Sequence, residues 1–325
     1  MAHHTSDLSL FQRLRIKQYS RDVCLTALHG ESVPYALAHP LHQICTVRGI
    51  RYHPGFGDRL YGSLPIFTRA LNARKIMSEI IPDLSSPDEV AYCIWHPVTA
   101  SEETYRRLAQ RYPYLVYQVA RACAVAGYTE LYHELEVLPD VHIAEEAREC
   151  GNLAMYEAIV CQPVRYTIMN DYTRTVDFDS RQPANLNGDT SVRWMLDIRQ
   201  EIQDSTSDLY VDEHGDIDVD DIFDPLDSPG YEESMFNVCE DMQVDERKST
   251  EATKRTFTTR LELQLLYEPL PADLPTVQKD ILILMAAYQG NVDRFARLRR
   301  PKRIVKETAC CVRGIYHNTF FAVVV

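Results

Sequence analysis

Two stretches near the opposite ends of the chain have almost the same sequence. Residues 45–53 read CTVRGIRYH, and residues 310–317 read CCVRGIYH. Each follows a second related stretch, residues 27–40 (ALHGESVPYALAHP) in the first case and residues 286–301 (AAYQGNVDRFARLRRP) in the second. Because both stretches recur in the same order, we interpret them as two copies of one module, and such duplication is typical of repeat architectures.

A spacing of small residues, a glycine and an aromatic residue also recurs. Small residues stand three or four positions before a glycine, and an aromatic residue stands five positions after it, at Gly30, Gly127, Gly151 and Gly290. Because glycine readily adopts the left-handed conformation that ends a helix, the spacing predicts helix, tight turn, helix, with the aromatic residue facing the core. Asn152 and Asn291 are predicted to cap the second helix. Pro34 makes the copy at Gly30 a looser one.

Three segments with this spacing resemble a known repeat. Residues 284–295 (LMAAYQGNVDRF) are similar to the helix-turn-helix half of an ankyrin repeat, as are residues 121–135 and 145–160. Gly127 and Gly151 lie 24 positions apart, whereas an ankyrin unit has about 33 residues and opens with Thr-Pro-Leu-His, which none of the copies carries. The resemblance therefore implies an irregular, ankyrin-like array over about half of the chain.

The chain as a whole resembles filamentous-fungal proteins that end in a segment of the type RLRRP…VRGIYHNTFFA. This resemblance implies no particular activity.

The net charge of −13 is concentrated in one region. Residues 201–246 contain 17 acidic residues and no lysine or arginine. Such a segment buries too little apolar surface to offset its ordering entropy, so we predict that it is disordered. The predicted fold is mainly α, an irregular ankyrin-like helical repeat array with a long disordered acidic insertion. Its parts are a helical repeat-like region at 1–175, the insertion at 176–256, and a C-terminal repeat module at 257–325 that packs with the first region.

Other elements are predicted from apolar patterns. Residues 6–29, 64–80 and 101–112 are predicted to be helices. Leucines at alternate positions in residues 260–267 favour a strand, with a helix as the alternative.

Within the acidic region, carboxylates alternate with bulky apolar side chains, as in residues 216–226 (DIDVDDIFDPL). This alternation is typical of activation-type segments, and a solvated linker is the simpler interpretation. Asp216, Asp218 and Asp220 have the spacing of a calcium loop. However, Asp221 stands where such a loop requires glycine. We interpret the region as a linker or a regulatory tail.

The candidate site residues are three pairs that recur in the two modules: Arg48 and Arg313, Tyr52 and Tyr316, and His53 and His317. A histidine can act as a general acid or base, but catalysis rarely uses the same residues at both ends of one domain. Arginine donors commonly hold carbonyl groups at turns. We therefore interpret the six residues as structural residues that hold the turns of each module in place, or as contacts to a partner, and predict no catalytic residue.

A basic string lies near the C-terminus, at Arg297, Arg299, Arg300, Lys302 and Arg303. The string is a candidate basic patch for an acidic partner or a nuclear localisation signal. The alternatives are the exposed end of a repeat helix, where cations suit the helix dipole, and an autoinhibitory contact with the acidic region.

His39, His42 and Cys45 have a spacing that suits zinc, but no second cluster completes the ligand set, so buried or capping histidines are the preferred interpretation. Residues 55–62 are glycine-rich, yet they match no phosphate-binding motif, which favours a connecting loop over a nucleotide site. The nine cysteines are odd in number and form no CxxC pair, which favours reduced thiols. We predict no metal and no cofactor.

These features favour an interaction protein over an enzyme. The N-terminus lacks the apolar core of a secretory signal, and no apolar run could cross a bilayer, so we expect a cytoplasmic or nuclear protein without a membrane contact. The acidic net charge argues against direct binding of nucleic acid. Our hypothesis is a non-catalytic scaffold or co-regulatory protein with an unknown protein partner. The alternative is an accessory protein or enzyme of a fungal secondary-metabolite biosynthetic gene cluster.

Overall fold

The structure, a computed structural model, describes residues 8–171, 173–179, 181–188, 260–275, 277, 279–300 and 307–325. These residues are mainly α-helical, as the sequence predicted. They form two compact units, one within residues 1–137 and the other within residues 138–191 and 250–325. Residues 201–246, with the predicted linker or regulatory tail, lie outside the described residues.

The first unit consists of short helices joined by loops and 3-10 turns. Its helices are α1 (Leu10–Arg13), α2 (Arg21–Leu28), α3 (Pro40–Tyr52), α4 (Pro65–Met77), α5 (Glu102–Arg111), α6 (Val116–Ala126) and α7 (Thr129–Glu134). The 3-10 turns are Asp58–Leu60, Pro87–Glu89 and Pro113–Leu115.

The predicted helices at residues 64–80 and 101–112 are confirmed as α4 and α5. The prediction of one helix over residues 6–29 was wrong, because the chain forms α1 and α2 with a break between them. Ser9 and Ser20 explain the break, since each side chain accepts a hydrogen bond from a backbone N–H of the helix that it begins.

The second unit combines helices with two small antiparallel strand pairs. Its helices are α8 (Val141–Glu149), α9 (Leu153–Val160), α10 (Arg260–Tyr267), α11 (Lys279–Gln289), α12 (Val292–Leu298) and α13 (Glu307–His317), followed by the 3-10 turn Thr319–Val323. The strands are β1 (Tyr166–Thr167), β2 (Met169–Asn170), β3 (Thr175–Val176) and β4 (Gln182–Pro183). Strand β1 pairs with β4, and β2 pairs with β3. Residues 260–267 form a helix rather than the favoured strand.

The predicted helix-turn-helix units are confirmed at Gly127, Gly151 and Gly290. These glycines connect α6 to α7, α8 to α9 and α11 to α12, and their φ angles are +79°, +77° and +62°. Asn152 and Asn291 cap the second helices by accepting a hydrogen bond from the backbone N–H three residues later. At Gly30 only the first helix of the unit forms, since no helix begins again until α3.

Strands and helices of the second unit are joined by buried and partly buried polar contacts. Arg165, next to β1, forms a bidentate ion pair with Asp273 at 2.9 and 3.2 Å. Asp273 also accepts a hydrogen bond from the backbone of Leu186, and Arg148 of α8 donates to the carbonyl of Leu274. The segment before α11 therefore contacts both α8 and the strand region.

No helix in the described ranges is long and apolar enough to cross a membrane.

Candidate interaction surface

In each of the two modules, a glycine inside one helix packs against an earlier helix of the same module. A Cβ built on Gly49 of α3 would lie 2.2 Å from the carbonyl oxygen of Ala27 in α2. A Cβ built on Gly314 of α13 would lie 2.0 Å from the carbonyl oxygen of Ala287 in α11. Because real Cβ atoms essentially never come within 3.0 Å of another heavy atom, only glycine permits this close approach of the helices.

The side chain four positions after each glycine contacts a backbone carbonyl oxygen at the end of the other helix. His53 contacts the carbonyl oxygen of Leu28 through Nε2 at 3.0 Å. Asn318 donates from Nδ2 to the carbonyl oxygen of Gly290 at 2.9 Å. By its position relative to the glycine, Asn318 is therefore the structural counterpart of His53. Matching residue identities instead pairs His53 with His317.

An aromatic residue seven positions after each glycine completes the match. Phe56 and Phe321 are both buried, and each ring lies against the helical glycine of its own module. The modules differ in the segment that connects the two paired helices. This segment contains α12 in the second module and no helix in the first. The duplication seen in the sequence thus corresponds to equivalent contacts in the structure.

In the first unit, the outer face of α3 is covered. Val47 is fully buried in one apolar core with Phe67 and Leu71 of α4. The guanidinium of Arg51 is also buried, and it donates to carbonyl groups of residues 93–96 at 3.1 and 2.5 Å. Helix α4 and the segment before α5 therefore shield this face from solvent.

The corresponding face of α13 is exposed. Val312, the counterpart of Val47, has 51% of its surface accessible, and Tyr316, one helical turn later, has 81%. In the following 3-10 turn, Phe320 is 79% and Val323 is 85% exposed. We call these four side chains, Val312, Tyr316, Phe320 and Val323, the α13 outer face.

The six candidate residues have different surroundings in the two modules. Arg48 is buried, with its guanidinium 4.0 Å from the centre of the Tyr52 ring, and the Tyr52 hydroxyl is 2.8 Å from His96 Nε2. Arg313 and His317 are exposed on α13.

The His317 ring contacts the ring of Tyr288 at a centroid distance of 5.7 Å. Tyr316 belongs to the α13 outer face. The structure therefore brings Arg48, Tyr52 and His53 into packed contacts, whereas Arg313, Tyr316 and His317 remain accessible.

Much of the predicted basic patch is engaged within the second unit. Arg297 donates to the carbonyl groups of Leu270 and Ala272, and burial lowers its pKa. Arg299 donates to the carbonyl of Val324.

Arg300 is buried, with 3% of its surface accessible. Lys302 and Arg303 lie outside the described residues.

His42, Cys45 and Cys24 are buried together between α2 and α3. A hydrogen bond with Cys45 lowers the pKa of Cys24 to about 6, against the effect of burial, and His42 adds to the lowering. Burial opposes protonation of His42, but its hydrogen bonds with Cys24 and with backbone carbonyls raise its pKa overall. Burial and the neighbouring His42 lower the pKa of His39 to about 4.

Both ring nitrogens of His42 already face backbone carbonyls. Nδ1 lies 2.8 Å from the oxygen of Ala36, and Nε2 lies 3.2 Å from the oxygen of Ser20. Within the described part of the chain, no three His, Cys, Asp or Glu side chains are grouped so that they could hold a metal ion.

Sequence reasoning missed Asn318 and the apolar members of the α13 outer face. Asn318 could have been found by counting from the glycine instead of matching letters. The exposure of Val312 could not have been predicted, because the valine at the same position of the motif in the first module, Val47, is buried.

A family model described as the YKP1 C-terminal domain matches residues 95–200. The match covers about a third of the chain and lies between the two modules, so it includes neither of them. It is a similarity to this family and not to an ankyrin family. No curated protein and no solved structure matches the chain.

Proposed function

We propose that the protein is a non-catalytic interaction protein, a scaffold or co-regulator, that binds another polypeptide through the α13 outer face. The observation that supports this proposal is the contrast between two copies of one module. The face that α4 covers in the first copy, around Val47, is left accessible in the second copy, around Val312.

The chemistry of the α13 outer face is suited to protein binding. Tyrosine, phenylalanine and arginine are enriched at protein interfaces, and buried aromatic anchors contribute most of the binding energy. Tyr316 and Phe320 are large aromatic side chains with most of their surface in solvent, and the exposed Arg313 lies three positions before Tyr316. Val312 and Tyr316 lie one helical turn apart on α13, and exposed apolar side chains grouped on one face commonly mark interaction sites.

The polar groups of the modules support binding over catalysis as the role of this fold. His42, His53 and Arg51 are engaged with backbone carbonyl groups, and so stabilise the modules themselves. The resemblance of the helix-turn-helix units to ankyrin repeats, which bind proteins, favours the same conclusion. We extend the proposal to a cytoplasmic or nuclear protein.

The test is affinity purification of the tagged full chain from its native cells, with quantification of co-purified proteins. The variant is Tyr316→Asp with Phe320→Asp, and the matched control is Tyr267→Asp, which alters a tyrosine of α10 that is 73% exposed. We expect a stoichiometric partner that is retained by the control and lost by the double variant, while urea unfolding of both variants stays close to wild type. Recovery of no stoichiometric protein, or equal recovery by the double variant, would contradict the proposal.

A further inference from the structure

We infer that the α13 outer face accepts one amphipathic α-helix of another polypeptide, with the arrangement of apolar side chains that α4 presents to α3. This inference rests on the proposed function, and it names the class of partner that the face fits. The first module serves as the template, because it shows the same face with its covering element in place.

The covering element in the first module is a helix with a defined stripe. Phe67, Ala70 and Leu71 of α4 are buried in the same core as Val47 of α3, and their spacing of i, i+3 and i+4 places them on one face of the helix. Three residues later, Arg74 donates from Nη1 to the carbonyl oxygen of Arg51 at 3.0 Å, near the end of α3. A partner helix is therefore expected to carry an aromatic, a small and an aliphatic residue, followed by an arginine.

The equivalent positions on α13 are available to such a helix. Counted from the glycines, Val312 replaces Val47, which shares a core with α4, and Tyr316 replaces Arg51. The carbonyl of Arg51 accepts from Arg74 of α4, whereas its guanidinium donates to the segment before α5. The opposite side of α13 is already used, because Glu307, Cys311 and Gly314 are buried. A docking helix would thus meet the outer face without displacing the contact between α13 and α11.

A helix fits this face better than an extended peptide. Strand addition gains its affinity from main-chain hydrogen bonds to a free sheet edge, whereas the backbone of a helix such as α13 is bonded within the helix. Side chains at Val312 and Tyr316, four residues apart, form a ridge that packs into the groove of a second helix.

The experiment uses a fluorescent synthetic peptide of residues 63–79, which contains α4, and the full-length protein. We expect saturable binding by fluorescence anisotropy, weakened at least tenfold by Tyr316→Asp in the protein and by Leu71→Asp in the peptide, because each change places a charge in the apolar contact. Tyr267→Asp in the protein should leave the affinity unchanged.

Three results would overturn the inference. These are the absence of peptide binding, equal binding by the Tyr316→Asp protein, and self-association of the protein that sedimentation shows to depend on Tyr316. The last result would identify a second copy as the occupant. If the peptide fails while capture of a cellular partner still depends on Tyr316, the proposed function stands and only the helical class of partner is excluded.

Discussion

Gly314 of α13 lies so close to Ala287 of α11 that a methyl group on the glycine would come within 2.0 Å of the alanine carbonyl oxygen. Gly49 and Ala27 have the same relationship in the first module, at 2.2 Å. Alanine is favoured over glycine inside a helix by about 1 kcal/mol, so these glycines are explained by packing and not by helix propensity.

We predict that Gly314→Ala and Gly49→Ala each lower the free energy of unfolding by about 2–3 kcal/mol, because the paired helices must move apart. Gly151→Ala is the matched control, since a Cβ there meets open space and only the left-handed backbone, with φ of +77°, is strained. It should cost about 1 kcal/mol. Urea unfolding followed by circular dichroism measures all three, and a Gly314→Ala variant as stable as wild type would contradict the close contact.

Counting from the glycine also distinguishes the residues that hold each module together. Asn318→Ala should destabilise the protein by about 1–2 kcal/mol, because the side chain both donates to the carbonyl oxygen of Gly290 and accepts from the backbone N–H of Phe320. His53→Ala should cost about 1 kcal/mol, the usual effect of losing one hydrogen bond. His317→Ala should change stability by less than about 0.5 kcal/mol, because His317 is exposed. Equal effects at Asn318 and His317 would contradict the register that the structure gives.

The duplication predicted more of the fold than of the site. It located the glycines, the turns and the caps, because these depend on local backbone geometry. It assigned the helix-to-helix contact of the second module to His317 instead of Asn318. The first copy has one more residue between glycine and histidine than the second, so matching Tyr-His to Tyr-His shifts the comparison by one position.

The sequence pattern could predict neither which residues pack against each module nor the very short strands. Whether the valine of the motif is buried depends on α4, which begins 16 residues after Gly49, and nothing in the motif itself encodes that helix. Strands β1 to β4 have two residues each, too few to show an alternating period.

The covered and uncovered faces predict opposite responses to the same substitution. Val47→Ala should lower the free energy of unfolding by about 1–3 kcal/mol, because it removes methyl groups from a packed core and leaves a cavity. Val312→Ala should change it by less than about 0.5 kcal/mol, because the side chain is half exposed. Thermal and urea unfolding of the two variants provide the comparison, and equal losses would show that the α13 outer face is not free.

The pKa of the Cys24 thiol is lowered from its ordinary value of 9.0 to about 6, chiefly because of its hydrogen bond with Cys45. Burial acts in the opposite direction at Cys123, where it is the main cause of a pKa raised to about 12 and the Glu102 carboxylate adds to it. Absorbance at 240 nm should therefore show a thiolate transition near pH 6 in the folded protein. Cys24→Ser should remove this transition, and Cys45→Ala should move it to higher pH.

The same shift predicts a pH dependence of stability. Because the folded-state pKa of Cys24 is below the unfolded value, this thiol contributes stability that is fully present above pH 9 and is lost as the pH falls through about 6. The free energy of unfolding should rise more between pH 6 and pH 9 in wild type than in Cys24→Ser. His42 has a raised pKa, so its own contribution is present below pH 6.5 and is lost as the pH rises. An identical pH profile in wild type and Cys24→Ser would contradict the assigned ionisation.

Asp140 connects α8 to the strand region through both of its carboxylate oxygens. Oδ1 accepts hydrogen bonds from the backbone N–H groups of His142 and Ile143, at 2.9 and 3.0 Å, and so caps α8. Oδ2 accepts from the backbone N–H groups of Ile168 and Met169, at 2.7 and 3.0 Å. The side chain is fully buried.

Asp140→Asn should therefore be costly although it changes little in size. An asparagine keeps one acceptor oxygen for the helix cap, but its NH₂ group would face the N–H groups of Ile168 and Met169 and leave both donors without an acceptor. We expect a loss of about 2–4 kcal/mol in the free energy of unfolding. Asn152→Ala is the control, since it removes the cap of α9, where Asn152 Oδ1 accepts from the backbone N–H of Met155, and should cost about 1 kcal/mol. Hydrogen exchange of the amides at residues 168 and 169 should accelerate in Asp140→Asn and remain unchanged in Asn152→Ala, and protection of both amides in Asp140→Asn would show that this carboxylate does not hold the strand region to α8.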